Sequence, residues 1–137
     1  MLKVFINGTF DVLHPGHISL FKDAKSRGDF LFVAIDSDKR VSQLKGIDRP
    51  FNNQENRKYI LENLKFIDKV EIFNSDVELK DLIKKYAPDI MMVGSDWKNK
   101  TIVGSEYAKQ LIFFDRIPDF STTKILEDFI NRRQLYR

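Results

Sequence analysis

Short apolar runs that each end in a polar turn and lead into a helix-period stretch leave this chain few folds to choose from. Leu2–Ile6, Phe30–Ile35, Lys69–Phe73, Ile90–Val93 and Leu111–Phe114 read as strands. Gly16–Arg27, Asn53–Leu64, Val77–Tyr86 and Thr123–Arg133 read as helices. Strands alternating with helices predict a parallel sheet covered on both faces. Phe30–Ile35 is apolar throughout, which suits a central strand buried on both sides. The expected class is α/β: a Rossmann-like, doubly wound sheet of five parallel strands. A chain of 137 residues with no internal repeat or linker is expected to form one domain, residues 1–137.

Punctuation along the chain fits this scheme. Gly28 is placed to close the first helix from a C′ position, and Pro88 stops the third. Ser121 or Thr122 is a good N-cap for the last. Residues 39–56 read as an irregular connection, too long to be a mere linker and so a functional loop. The helix after it should turn Tyr59, Ile60 and Leu64 to the core, with Ile67 following. Polar turns at Asp36-Ser37-Asp38 and Gly94-Ser95-Asp96-Trp97 fall at strand carboxyl ends, the edge where open α/β sheets bind ligands.

The first strand-to-helix turn carries the chemistry. Gly8-Thr9-Phe10-Asp11-Val12-Leu13-His14-Pro15-Gly16-His17 joins the first strand to the first helix. Such a turn offers free backbone N–H groups and the positive end of a helix dipole, which together favour an anion. Gly8 admits a close ligand, and Pro15 pre-sets the first helical turn. The chain has only two histidines, His14 and His17, and their spacing puts both on one side of the helix start. Each can donate to a phosphate oxygen and can turn cationic as charge builds up. The plainer role, two capping or surface histidines, leaves the shared glycine-rich lead-in unexplained. Two histidines with no cysteine and no third partner do not make a zinc site.

Composition narrows the remaining choices. With no cysteine there is no disulfide framework, thiolate nucleophile or thiolate-bound metal. No stretch approaches the length of a membrane span and nothing at the start reads as a signal peptide, so a cytoplasmic protein is expected. The net charge of +3 is interspersed along the chain apart from Arg132, Arg133 and Arg137 in the tail. A phosphate pocket with several fixed cations accounts for it without nucleic acid or membrane as a partner.

At the G-T-F-D…H-x-G-H turn the chain resembles the cytidylyltransferase-like nucleotidyltransferases, and the likeness runs from about Val4 to Ile125. The resemblance implies that Gly8, Thr9, Phe10, His14 and His17 hold nucleotide phosphates, with main-chain contacts at Phe10. Arg116 with Ser121 and Thr122 matches the family's R-x-x-x-x-S-T-T element for the nucleoside triphosphate, and Gly94 falls in the nucleotide pocket. Lys45 matches the lysine of the loop after the second strand, and Arg57 an arginine that grips the acceptor's phosphate. Asp11, Asp38, Asp96 and Trp97 match positions lining the substrate pocket. His14, His17, Lys45 and Arg116 are then the catalytic set.

The implied reaction moves a nucleoside monophosphate from ATP or CTP to a sugar or polyol phosphate, releasing pyrophosphate. Mg²⁺ is expected to arrive with the triphosphate, and no protein-held metal is expected. Relatives are often homodimers. Two subfamilies contribute features. Leu44-Lys45-Gly46 with Arg49-Pro50, and Val103-Gly104-Ser105-Glu106, resemble the heptose 1-phosphate adenylyltransferases of carbohydrate biosynthesis. Asp96-Trp97 resembles the glycerol-3-phosphate cytidylyltransferases. A nucleotide-binding module without activity is the alternative from another class, and the histidine pair argues against it.

Overall fold

The computed structural model describes residues 1–116 and 121–135. Five strands, β1 (Lys3–Gly8), β2 (Phe30–Asp36), β3 (Lys69–Phe73), β4 (Ile90–Gly94) and β5 (Gln110–Phe114), form one sheet in the order β3-β2-β1-β4-β5. All four pairings are parallel, with Val4 opposite both Leu31 and Ile90. The chain winds outward from β1 through β2 to β3, then returns to the other side of β1 for β4 and β5. The expected doubly wound class is therefore present, and the crevice between the carboxyl ends of β1 and β4 is its switch point.

Five helices connect and cover the sheet: α1 (Pro15–Ser26), α2 (Asp38–Lys45), α3 (Gln54–Glu62), α4 (Asp76–Tyr86) and α5 (Thr122–Leu135). Strand residues alternate between two cores, as period-2 geometry requires. On one face Val4, Ile6, Leu31, Val33 and Ile35 pack with Phe21 and Ala24 of α1 and Leu61 of α3. On the other, Phe5, Phe32 and Ala34 pack with Leu79 and Ile83 of α4. Residues 31–36 of β2 are all buried, as expected of a strand central to both cores.

Two local expectations are corrected and a third is refined. The segment after β2 is not irregular at its start: Ser37 accepts from the Arg40 N–H and caps the two-turn helix α2, which runs to Lys45. In α3 the side turned to the protein carries Arg57 and Leu61, while Tyr59 and Ile60 are exposed. A buried arginine breaks the apolar pattern from which the opposite face was inferred. Gly28 follows the last turn of α1 at C′, as expected, and its N–H donates to the Lys25 carbonyl at 3.3 Å. Arg27 is the C-cap, and a Cβ on Gly28 would lie 2.8 Å from the Leu2 carbonyl oxygen, so its glycine serves the close approach of β1.

Candidate active site

Between β1 and α1 the backbone is held in a strained turn. Phe10 and Val12 both have φ of 51°, a region that bulky and β-branched residues rarely enter. Phe10 folds back over Gly8, where a Cβ would meet its ring at 2.9 Å. The ring is buried edge-on to His17 and Phe21, with centroids 5.6 and 5.0 Å away. Phe10 thus backs the histidine from beneath, a packing role added to the main-chain role expected of it.

The two histidines close the helix start on each other. His14 is the N-cap of α1, and its Nδ1 accepts from the Gly16 N–H at 3.1 Å. His17 reaches back so that its Nδ1 accepts from the His14 N–H at 3.2 Å. The pair forms a capping box built from imidazoles, with rings stacked 3.8 Å apart. Because both Nδ1 atoms accept backbone N–H groups, each neutral ring carries its proton on Nε2. One nitrogen of each ring thus fixes the helix start.

Cations gather around this pair. Burial, then the neighbouring His14, Arg116 and Lys45, lowers the His17 pKa to about 4. His14 is lowered by burial and by Arg116. Lys45 ends α2 and its side chain is exposed overall, yet partial desolvation of the ammonium and the nearby Arg49 lower its pKa, with Arg116 adding and Asp36 and Asp11 opposing. Four of the expected residues, His14, His17, Lys45 and Arg116, thus sense one another's charge. Such mutual repulsion marks a place where anionic charge is wanted.

Other expected site residues make their contacts within the protein itself. Asp11 is buried, and its carboxylate accepts from the Phe51 N–H at 2.6 Å and the Asn52 N–H at 3.0 Å, with the Asn52 side chain at 3.1 Å. It ties the long loop to the turn between β1 and α1. Arg57 is 1% exposed and spends its guanidinium inside the fold. Nε donates to the Asn52 carbonyl, Nη1 to the Thr9 carbonyl and Nη2 to Asp38, each at 2.9 Å. It is a strut between turn, loop and α2, with Asp38 as its counter-ion. The Thr122 hydroxyl donates to the Asp11 and Val12 carbonyls, so its side chain anchors α5 to the same turn. Thr9 donates weakly, at 3.4 Å, to Asp36, whose other oxygen holds Arg40 at 2.7 Å.

Across the switch point, the β4–β5 side is open. Gly94 ends β4, and a Cβ there would lie 2.6 Å from the Asp96 carboxylate folded back over it. Asp96 and Arg116 pair loosely at 3.5 Å, both exposed. Trp97 is 46% exposed beside Lys100. Ser121 caps α5 by accepting from the Lys124 N–H at 3.0 Å. Residues 117–120, inside the R-x-x-x-x-S-T-T element, and the tail residue Arg137 lie outside the described residues. A shallow groove lined by Leu13, His14, Ile18 and Lys22 flanks the first turns of α1. Among the described residues no three acidic or histidine side chains come together as a metal cage.

Sequence reasoning passed over Arg49, noticed there only as half of an Arg-Pro pair. Its Nη1 lies 3.4 Å from the Thr123 hydroxyl, while Nε and Nη2 are buried with no hydrogen-bond partner among the described residues. The available signal was its position, four residues after Lys45 in the same loop.

A switch-point crevice with an H-x-G-H helix start and cations gathered about it is the framework of a nucleotidyltransferase. The chain belongs to the cytidylyltransferase-like family, whose model matches residues 5–128. It is 46% identical over 124 residues to the bifunctional protein HldE of a Nitratiruptor species, and 46% identical over 123 residues to that of Campylobacter fetus subsp. fetus. Both alignments take in 90% of this chain but only 27% of the relative. The chain therefore spans about a quarter of the length of these curated relatives. Among solved structures, the lipopolysaccharide core biosynthesis protein from Thermoplasma volcanium GSS1 superposes with a TM-score of 0.66 at 24% identity, covering 88% of this chain and 99% of that one. The pantoate–β-alanine ligase from Francisella tularensis, complexed with beta-gamma ATP and beta-alanine, superposes with a TM-score of 0.58 at 18% identity, covering 96% and 69%. These two likenesses concern the fold.

Proposed function

We propose that this domain transfers a nucleoside monophosphate from a nucleoside triphosphate to a sugar phosphate, with ATP and a heptose-like sugar 1-phosphate as the preferred pair. The observation that carries the reading is the paired imidazole cap. It fixes two imidazoles at a helix N-terminus, with Arg116 and Lys45 close enough to act on the charge of His17. In the reaction, an oxygen of the acceptor phosphate attacks the α-phosphorus as the bond to the bridging oxygen breaks. Pyrophosphate then leaves with the electron pair. Positioning and charge stabilisation suffice, so no covalent enzyme intermediate forms. His14 and His17 hold the phosphates, and Lys45 and Arg116 offset the charge that develops. The carboxylates of Asp11 and Asp36 are occupied by protein donors, so a divalent ion fits this site as part of the nucleotide and not in a protein cage. When bound, Mg²⁺ supplies further positive charge at the triphosphate.

The substrate pair is supported by the L-K-G-x-x-R-P loop and the V-G-S-E segment, and by similarity to the HldE proteins, whose name includes the word bifunctional. Asp96-Trp97, exposed at the β4 end, favours CTP with a polyol phosphate as the second reading. A single domain over residues 1–137, in the cytoplasm where nucleotides are available, accords with this role, and a homodimer is its expected assembly. A pyrophosphate-release screen of ATP, CTP, GTP and UTP against sugar and polyol phosphates tests the reaction and its substrates. Fastest release from CTP with glycerol 3-phosphate would reverse the order of the two readings. Release from no pair would leave a binding module.

A further inference from the structure

We infer that Arg49, and not Arg57, is the guanidinium that receives the acceptor's phosphate. The inference rests on the transfer reaction proposed above and names the residue that selects its second substrate. The two arginines leave the same loop in opposite states. Arg57 has Nε, Nη1 and Nη2 each bonded at 2.9 Å to a protein oxygen, and the residue is 1% exposed, closed off from a ligand. Arg49 keeps Nε and Nη2 buried and without a hydrogen-bond partner among the described residues, and its one side-chain hydrogen bond there is a long 3.4 Å approach to Thr123. A buried guanidinium edge left unsatisfied is costly unless an anion completes it. Nε and one terminal nitrogen present the two parallel donors that match two oxygens of a phosphate monoester.

Placement says which phosphate. Arg49 follows α2 on the β2 side of the switch point, while Arg116, Asp96 and Trp97 stand on the β4–β5 side. The histidine turn lies between them. An in-line transfer needs the attacking phosphate and the departing pyrophosphate on opposite faces of the α-phosphorus. With Arg116 and the β4–β5 loops on the nucleotide, Arg49 and the neighbouring Lys45 on the β2 side are left for the acceptor, and the 3.4 Å approach of Arg49 to Thr123 at the start of α5 sets it where the two substrates would meet. The loop is fixed for this. The Arg49 N–H donates to the Gly46 carbonyl at 3.1 Å and the Ser42 hydroxyl to the Arg49 carbonyl at 2.6 Å, while Asp11 holds the N–H groups of Phe51 and Asn52. Pre-set backbone on both sides confines the change on binding to the guanidinium and its cover, since the buried Nε and Nη2 must be uncovered for a phosphate to reach them.

The test uses Arg49→Gln and Arg49→Lys in the full chain, with initial rates for the acceptor chosen by the screen and calorimetric titration with inorganic phosphate. Arg49→Gln should raise the acceptor KM by about 10- to 100-fold while the nucleotide KM stays within about twofold, the scale of losing charge-assisted hydrogen bonds. Arg49→Lys should recover only a small part, because a point charge cannot replace the fork. If the glutamine variant does not fold, the lysine variant decides through the same KM ratio. An unchanged acceptor KM, or a nucleotide KM that rises as much, would overturn the assignment while leaving the reaction intact. Should the wild-type chain transfer nothing, the reaction reading falls alone. Arg49 is then judged by inorganic phosphate, whose affinity should drop at least about tenfold in Arg49→Gln. Equal affinity would overturn the inference.

Discussion

The two sides of the switch point are built on different terms. On the β1–β2 side, Asp11, Asp36 and Arg57 are buried and bonded to backbone or to neighbouring side chains. On the β4–β5 side, Asp96, Trp97 and Arg116 are exposed, and the ion pair between Asp96 and Arg116 stretches to 3.5 Å. The first side is organised before any ligand arrives and holds the phosphate turn in its strained shape. The second has little internal reason for its geometry, so its order should come from the nucleotide. Charge near a reacting centre is most useful where it is fixed in advance. Base and sugar recognition can tolerate a surface that adapts.

That contrast can be broken by mutation, most severely on the buried side. Arg57→Ala should cost about 3–5 kcal/mol of stability, because it strands Asp38 and two carbonyls around a buried hole. Denaturant unfolding measures this, and a loss under about 1 kcal/mol would mean the strut is dispensable. His17→Ala comes next, with kcat lowered on the order of 10²-fold or more, through lost stabilisation of the departing charge. Unlike a residue that only binds ligand, it should also lower stability by about 1 kcal/mol, since it is half of the α1 capping box. A variant with near-normal kcat would remove the histidine pair from the mechanism.

Acid should expose the same coupling. His17 has a folded pKa of about 4 against 6.5 when unfolded, so the unfolded chain takes up the proton first as pH falls. Its contribution is fully present above pH 6.5, is lost between 6.5 and 4, and amounts at most to about 3 kcal/mol before solvent screening reduces it. Nucleotide binding should push the His17 pKa back up, because the triphosphate opposes the repulsion from His14, Arg116 and Lys45. An NMR titration of the ring with and without ATP reads both effects; a pKa that stays put on binding would place the triphosphate elsewhere. The smallest change belongs to the open side. Asp96→Asn should alter stability by no more than about 0.5 kcal/mol, as expected for an exposed, stretched ion pair. A thermal shift of several degrees would show that this side too is pre-organised.

Much of this arrangement was legible in the residues. The five strands, their parallel class and the strand-to-helix turn that carries the histidines follow from apolar runs of strand length, helix-period stretches between them and a glycine-led turn before a proline. These are local signals, and the hydrophobic cores they build leave little freedom of topology. Four expected residues, His14, His17, Lys45 and Arg116, also come within electrostatic reach of one another, because strand carboxyl ends must share one edge.

By itself the sequence determined the sheet, the position of its ligand edge and the histidine-bearing turn, all of which depend on residue type and short-range spacing. Only the tertiary structure decided which charged side chain is free to act. Arg49 and Arg57 share one loop-and-helix segment and are chemically identical. One is surrounded by the Thr9 and Asn52 carbonyls and Asp38; the other has two buried nitrogens with no acceptor among the described residues. A guanidinium's availability depends on the acceptors that distant segments bring to it, and no local pattern encodes those.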